Sequence, residues 1–210
     1  MTHVKVCGVT TVQDVELCVA AGVDAIGLNF APSSPRCLTL EAAAALARAI
    51  PAHVLSVGVF VDADLAQLQH YKSVLSLGCL QLHGDEAPEL LAQLLPHAYK
   101  ALRVRGADVH ADAARFGGEH LLLDAYVPGA HGGTGARFDW NLARELSGVR
   151  KITLAGGLTP ENVAEAIAVV QPYCVDVASG VELSPGRKDP ARVQAFVRAA
   201  KAQPRTSQTP

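Results

Sequence analysis

Short β-rich apolar runs and helix-patterned stretches follow one another about eight times along the 210 residues, and very few folds accommodate that order. The β-rich runs cover 4–7, 25–30, 54–60, 78–82, 99–104, 120–124, 151–155 and 174–178. The helical stretches cover 12–21, 40–50, 64–75, 87–95, 108–115, 140–146, 160–170 and 190–202. Thr11 and Thr39 are suited to cap the helices they precede, and Thr159-Pro160-Glu161 and Asp189-Pro190 put proline at a first helical position behind a capping side chain. A strand followed by a helix, repeated in this way, gives a parallel sheet with right-handed crossovers, and eight such units close on themselves. The sequence therefore predicts an α/β protein with a single (β/α)8 TIM barrel over residues 1–203 and a polar, proline-bearing, flexible tail over 204–210. Its longest loops, 31–39, 125–139 and 179–189, are the expected functional ones.

Composition narrows the function classes. A net charge of −2 offers no basic face for nucleic acid, and the eight histidines are scattered away from metal-ligand spacings. The five cysteines are odd in number, form no CxxC pair and follow no cleavable leader, which fits a reducing cytoplasm. No run of about 18 apolar residues suggests a membrane span. The sequence leaves monomer and homodimer equally open.

The ends of the strands carry the chemistry, because barrels of this type build their sites there. In the first strand, the two-residue alternation puts Lys5 and Cys7 on one face and Val4 and Val6 on the other. Cys7 then stands at the strand tip, where it is either a reactive thiol or a small buried hydrophobe. Asp124 ends the sixth strand, ahead of a glycine-rich segment over 125–135 that could close over a ligand. The seventh strand ends in Ala155-Gly156-Gly157 and the eighth leads into Ser179-Gly180. Their backbone N–H groups are candidates to bind a phosphate, since the loops after these two strands commonly do so. Arg36 lies in the loop after the second strand and could grip a carboxylate with two parallel hydrogen bonds. Gln81 and His83 share one face of the fourth strand. Asp176, in the eighth, should neighbour Lys5 when the barrel closes, and an unpaired buried charge is so costly that a buried ion pair is expected between them. Arg103 has no evident task.

The chain resembles the phosphoribosylanthranilate isomerases of tryptophan biosynthesis from Lys5 to Asp189. The resemblance rests on Lys5-Val6-Cys7-Gly8-Val9-Thr10, Gly27-Leu28-Asn29-Phe30 with Ser34-Pro35-Arg36, and Gln81-Leu82-His83-Gly84. It continues through Leu123-Asp124, Gly132-Gly133-Thr134-Gly135 with Phe138-Asp139-Trp140, Leu154-Ala155-Gly156-Gly157-Leu158, and Asp176-Val177-Ala178-Ser179-Gly180-Val181-Glu182 with Pro185-Gly186. Asn29, Cys37 and Ala178 depart from residues common in the family. The resemblance implies a phosphorylated small-molecule substrate and an Amadori rearrangement that needs no cofactor and no metal. It implies Cys7 as general base, Asp124 as general acid and Arg36 as partner of the anthranilate carboxylate, while Gln81, His83 and Asp176 are candidate substrate-binding residues from their inward-facing strand positions, with their exact roles open. Such an acid requires burial to lift the aspartate, and such a base requires a lowered thiol pKa. Two other readings stay open: a barrel like the histidine-pathway isomerase, which uses a carboxylate where Cys7 stands, and a non-catalytic binder of phosphorylated ligands.

Overall fold

β1 (His3–Cys7) turns Val4 and Val6 toward the surrounding helices and Lys5 and Cys7 toward the barrel axis, and the other strands repeat this division. The computed structural model describes residues 1–104, 106–125 and 139–203. β2 (Ala25–Asn29), β3 (Leu55–Phe60), β4 (Cys79–Leu82), β5 (Ala98–Val104), β6 (His120–Ala125), β7 (Lys151–Ala155) and β8 (Cys174–Val177) follow in order, and all eight strands pair in parallel into a closed barrel. Closure comes from β1 and β8, whose register sets Lys5 opposite Asp176.

Helices α1 (Val12–Ala21), α2 (Leu40–Ala49), α3 (Leu65–Val74), α4 (Pro88–Leu94), α5 (Val109–Arg115), α6 (Trp140–Ser147), α7 (Val163–Val170) and α8 (Pro190–Lys201) connect or follow the strands. None among the described residues is long and apolar enough to cross a membrane. The Thr11, Thr39 and Asp189 side chains accept hydrogen bonds from first-turn N–H groups, as the capping signals predict. The start of α7 differs. Asn162 accepts from the Thr159 N–H at 2.8 Å and donates to the Gly157 carbonyl at 2.9 Å, so residues 160–162 close a turn and the helix begins at Val163. A second difference lies in 179–189, predicted as loop. It holds one 3₁₀ turn (Ser179–Val181) and an antiparallel hairpin of β9 (Glu182–Ser184) and β10 (Arg187–Lys188). The predicted tail and most of the glycine-rich segment fall outside the described residues.

The main apolar core lies between sheet and helices, while a smaller cluster of Ala25, Val57, Tyr99, Ala101, Leu122 and Ala155 fills the barrel axis. Polar groups share that axis. Lys5 Nζ lies 2.8 Å from Asp176 Oδ2 with both side chains nearly excluded from solvent, so the expected buried ion pair is present. Farther down, His120 stacks on Tyr99 with ring centroids 4.3 Å apart, and its Nε2 lies 2.7 Å from Thr153 Oγ1.

Burial, reinforced by Lys5, Lys151 and Arg150, lowers His120 from 6.5 to about 4. Its folded pKa therefore lies below its unfolded one, and between these values the unfolded chain binds a proton that the folded chain refuses. Stability is expected to fall by up to about 3 kcal/mol as the pH drops through this window from its upper end. Urea unfolding of the wild type and of His120→Gln at the two ends of the window checks this, since the loss should shrink in the variant. An equal loss in both proteins would assign the acid sensitivity to other groups.

Candidate active site

At the C-terminal mouth of the barrel, a cavity of ≈ 180 Å³ is lined by every residue that the sequence singles out for a site. Cys7 comes from β1, Gln81 from β4, Asp124 from β6 and Asp176 from β8. Arg36 and His83 come from the loops after β2 and β4, Gly156 and Gly157 from the loop after β7, and Ser179 and Gly180 from the 3₁₀ turn. A wider depression of ≈ 580 Å³ beside α5 includes Glu86 and Lys100, which already pair with each other at 2.9 Å.

The glycines bring two loops into close contact. Gly156 and Gly157 have φ of +87° and +65°, and a Cβ at Gly180 would overlap the Leu158 carbonyl. Together they form a bed of backbone free of bulky side chains. Among the described residues lining the cavity, Arg36 is the only lysine or arginine.

Arg36 is less independent than its sequence context implies. Its Nε donates to Glu182 Oε1 at 2.8 Å and its Nη2 donates to Glu182 Oε2, so one edge of the guanidinium is already engaged. Lys188, fully buried, donates to the same Glu182 Oε1 at 2.8 Å, to the Cys7 carbonyl at 2.7 Å and to the Ala178 carbonyl at 3.3 Å. Burial opposes ionisation of Glu182, but hydrogen bonds from Arg36 and Lys188 outweigh it and hold the carboxyl below the ordinary glutamate range. Two cations around one carboxylate leave a net positive charge at this wall, which favours an incoming anion. Sequence reasoning missed Lys188 and the role of Glu182, because both sit on a hairpin with no long periodic pattern.

The thiol departs from expectation. Burial pushes Cys7 above the ordinary thiol value, and Asp176 adds to this, while Lys5 and Lys188 pull it down without prevailing. In the free protein Cys7 is therefore a protonated thiol, and the lowered pKa expected of a base is not built into the unliganded site. Asp124 also differs from the buried acid expected, since 31% of its side chain is exposed. Its Oδ2 lies 3.2 Å from His83 Nε2.

His83 is held in place from behind. Lys100 donates to the carbonyls of Leu82 at 3.2 Å and Gly84 at 2.7 Å, and Glu86 accepts from the Gly84 and Asp62 N–H groups, all at 3.0 Å, so the turn after β4 is fixed on both sides. Gln81 Nε2 lies 2.8 Å from His83 Nδ1. Arg103 makes only a long contact, at 3.4 Å, to the His83 carbonyl. Asp176 Oδ1 is buried and has no hydrogen-bond partner among the described residues, while its Oδ2 binds Lys5.

Comparison with known proteins gives a consistent result. Residues 4–199 match the family described as N-(5'phosphoribosyl)anthranilate (PRA) isomerase. The N-(5'-phosphoribosyl)anthranilate isomerase of Citrifermentans bemidjiense is 49% identical over 201 residues, covering 96% of this chain and 98% of that protein. That of Thiobacillus denitrificans is also 49% identical, over 202 residues, covering 95% and 98%. The crystal structure of the phosphoribosyl anthranilate isomerase from Thermotoga maritima superimposes with a TM-score of 0.89 at 36% identity, covering 97% of this chain and all of that one. A phosphoribosyl anthranilate isomerase in complex with reduced 1-(o-carboxyphenylamino)-1-deoxyribulose 5-phosphate gives a TM-score of 0.85 at 36% identity, with the same coverage.

Proposed function

Because the chain belongs to the N-(5'-phosphoribosyl)anthranilate isomerase family, we propose that Cys7 and Asp124 are the base and acid with which it isomerises N-(5'-phosphoribosyl)anthranilate in tryptophan biosynthesis. The observation that carries this reading is that a thiol on β1 and a carboxyl on β6 line one cavity with Arg36 and two glycine loops. The substrate is an aminoaldose closed as a ribose ring. Asp124 protonates the ring oxygen, the C1–O bond breaks, and the nitrogen lone pair forms a protonated imine at C1. That positive charge makes the C2 proton acidic. Cys7, as thiolate, removes it, and the resulting enolamine tautomerises to the 1-deoxyribulose ketone.

The high thiol pKa of the free site fits this order of events. A protonated imine beside Cys7 supplies the positive charge that Lys5 and Lys188 alone do not, so the thiol releases its proton to water at the cavity mouth and the thiolate forms when the reaction needs it. Asp176 Oδ1, an acceptor in need of a donor, suits a ribose hydroxyl. The phosphate rests on the backbone of Gly156, Gly157, Ser179 and Gly180. The free edge of Arg36 takes the anthranilate carboxylate, with Gln81 and His83 completing the wall.

Turnover by the wild-type protein, followed as loss of phosphoribosylanthranilate fluorescence, tests the activity, and a folded protein without turnover would overturn it. Arg36→Met should raise KM about ten- to a hundredfold, as expected for losing a hydrogen bond between charged groups. A substrate analogue lacking the carboxylate should bind wild type and variant alike. If the variant loses affinity for both ligands equally, Arg36 supports the loop instead.

A further inference from the structure

A chain of polar contacts runs from the mouth into the barrel interior. Asp124 Oδ2 faces His83 Nε2 at 3.2 Å, His83 Nδ1 faces Gln81 Nε2 at 2.8 Å, and the Tyr99 hydroxyl meets Gln81 Oε1 at 2.9 Å. Gln81 and Tyr99 are 1% and 2% exposed, so water does not compete for their polar atoms. Tyr99 lies on β5, below the cavity, and does not line it.

We propose that Tyr99 and Gln81 are positioning residues that hold His83 in its Nε2–H tautomer, with the proton-bearing nitrogen beside the Asp124 carboxylate. The direction follows from the buried end of the chain. A phenol in a dry interior needs an acceptor for its proton, and Gln81 Oε1 is the acceptor present among the described residues. Turning the amide over would give Tyr99 a donor and leave its own proton without an acceptor. With Oε1 committed to Tyr99, the amide N–H₂ faces the imidazole, and only an unprotonated Nδ1 can receive it. The single ring proton of neutral His83 is therefore on Nε2.

The consequence for the reaction rests on the reading of Asp124 as the acid. Nε2 stands 3.2 Å from Oδ2, within reach to donate to it in the reacting complex, which leaves Oδ1 to carry the proton toward the ribose ring oxygen. As that proton leaves, negative charge grows on the carboxylate, and a donor already in place meets it. A tautomer with a bare Nε2 would instead bind the acidic proton and keep it from the substrate.

Ring-nitrogen NMR of protein labelled in histidine, with the His83 signals assigned by His83→Gln, reads the tautomer directly. Wild type should show His83 protonated at Nε2 alone. Tyr99→Phe keeps the ring on His120 and removes only the hydroxyl. It should give a mixture of tautomers and a kcat lowered about 10- to 100-fold with KM unchanged, the size of effect expected for a misplaced catalytic group. Gln81→Glu keeps the acceptor for Tyr99 and places a second one against Nδ1. It should pull the ring proton to Nδ1 and lower kcat similarly, and it answers the question if Tyr99→Phe does not fold. An Nδ1–H tautomer in wild type, or wild-type kcat in either folded variant, overturns the proposal. Absence of turnover in the wild type would instead remove the isomerase reading, and the NMR result would stand apart from it.

Discussion

Cys7→Ala and Asp124→Asn should each lower kcat by about 10² or more while the barrel stays folded, since positioned acids and bases contribute about 10²–10⁴. Both substitutions are gentle on the structure. Alanine at position 7 removes one sulfur from a strand tip that faces the cavity, and asparagine at 124 keeps the shape and an oxygen for His83. The two losses should differ in kind. Cys7→Ala leaves ring opening possible but strands the imine before C2 deprotonation, whereas Asp124→Asn blocks ring opening itself. Steady-state turnover together with circular dichroism decides the matter, and near wild-type kcat in either folded variant would remove that residue from the mechanism.

Lys5→Met should destabilise the fold by about 3–5 kcal/mol, because it strands the Asp176 carboxylate in a dry barrel axis. Burial alone would lower the pKa of Lys5, yet Asp176, 2.8 Å away, with smaller contributions from Cys7 and Tyr99, reverses this and the ammonium is held above its ordinary value. The partner is thus what makes the buried cation tolerable. Lys5→Met combined with Asp176→Val removes both charges and should recover most of the stability in urea unfolding, as replacement of a whole buried pair often does. Activity should not return with it, since Asp176 lines the cavity and Lys5 is one of the cations that favour ionisation of Cys7. If the double variant is as unstable as the single one, the pair is held by packing more than by charge.

Much of this protein is written in local pattern. Alternation with period two in 3–7 separates Lys5 and Cys7 from Val4 and Val6, and a capping threonine or aspartate marks the starts of α1, α2 and α8. Each signal involves residues a few positions apart, so no knowledge of the rest of the chain is needed to read it. Eight repetitions of the unit then leave one closed architecture, and closure makes even the Lys5–Asp176 pair deducible, because neighbouring strands and facing side chains follow from the count.

Tertiary structure alone decided what those strand tips experience. Glu182 binds Arg36 from 146 residues away and Lys188 reaches the Cys7 carbonyl across 181, distances at which neighbouring sequence carries no information. The direction of the Cys7 thiol pKa was equally illegible, since it is the balance of burial and Asp176 against Lys5 and Lys188, and each contribution depends on ångström-scale separation inside the closed barrel. Tyr99 looks in the sequence like one more apolar strand residue. Only the inward turn of β5 beside β4 brings its hydroxyl to Gln81, and through Gln81 to the histidine that faces the acid. The sequence by itself determined which groups stand at the mouth of the barrel, and the packing of distant segments determined their partners, their protonation and the direction in which they point.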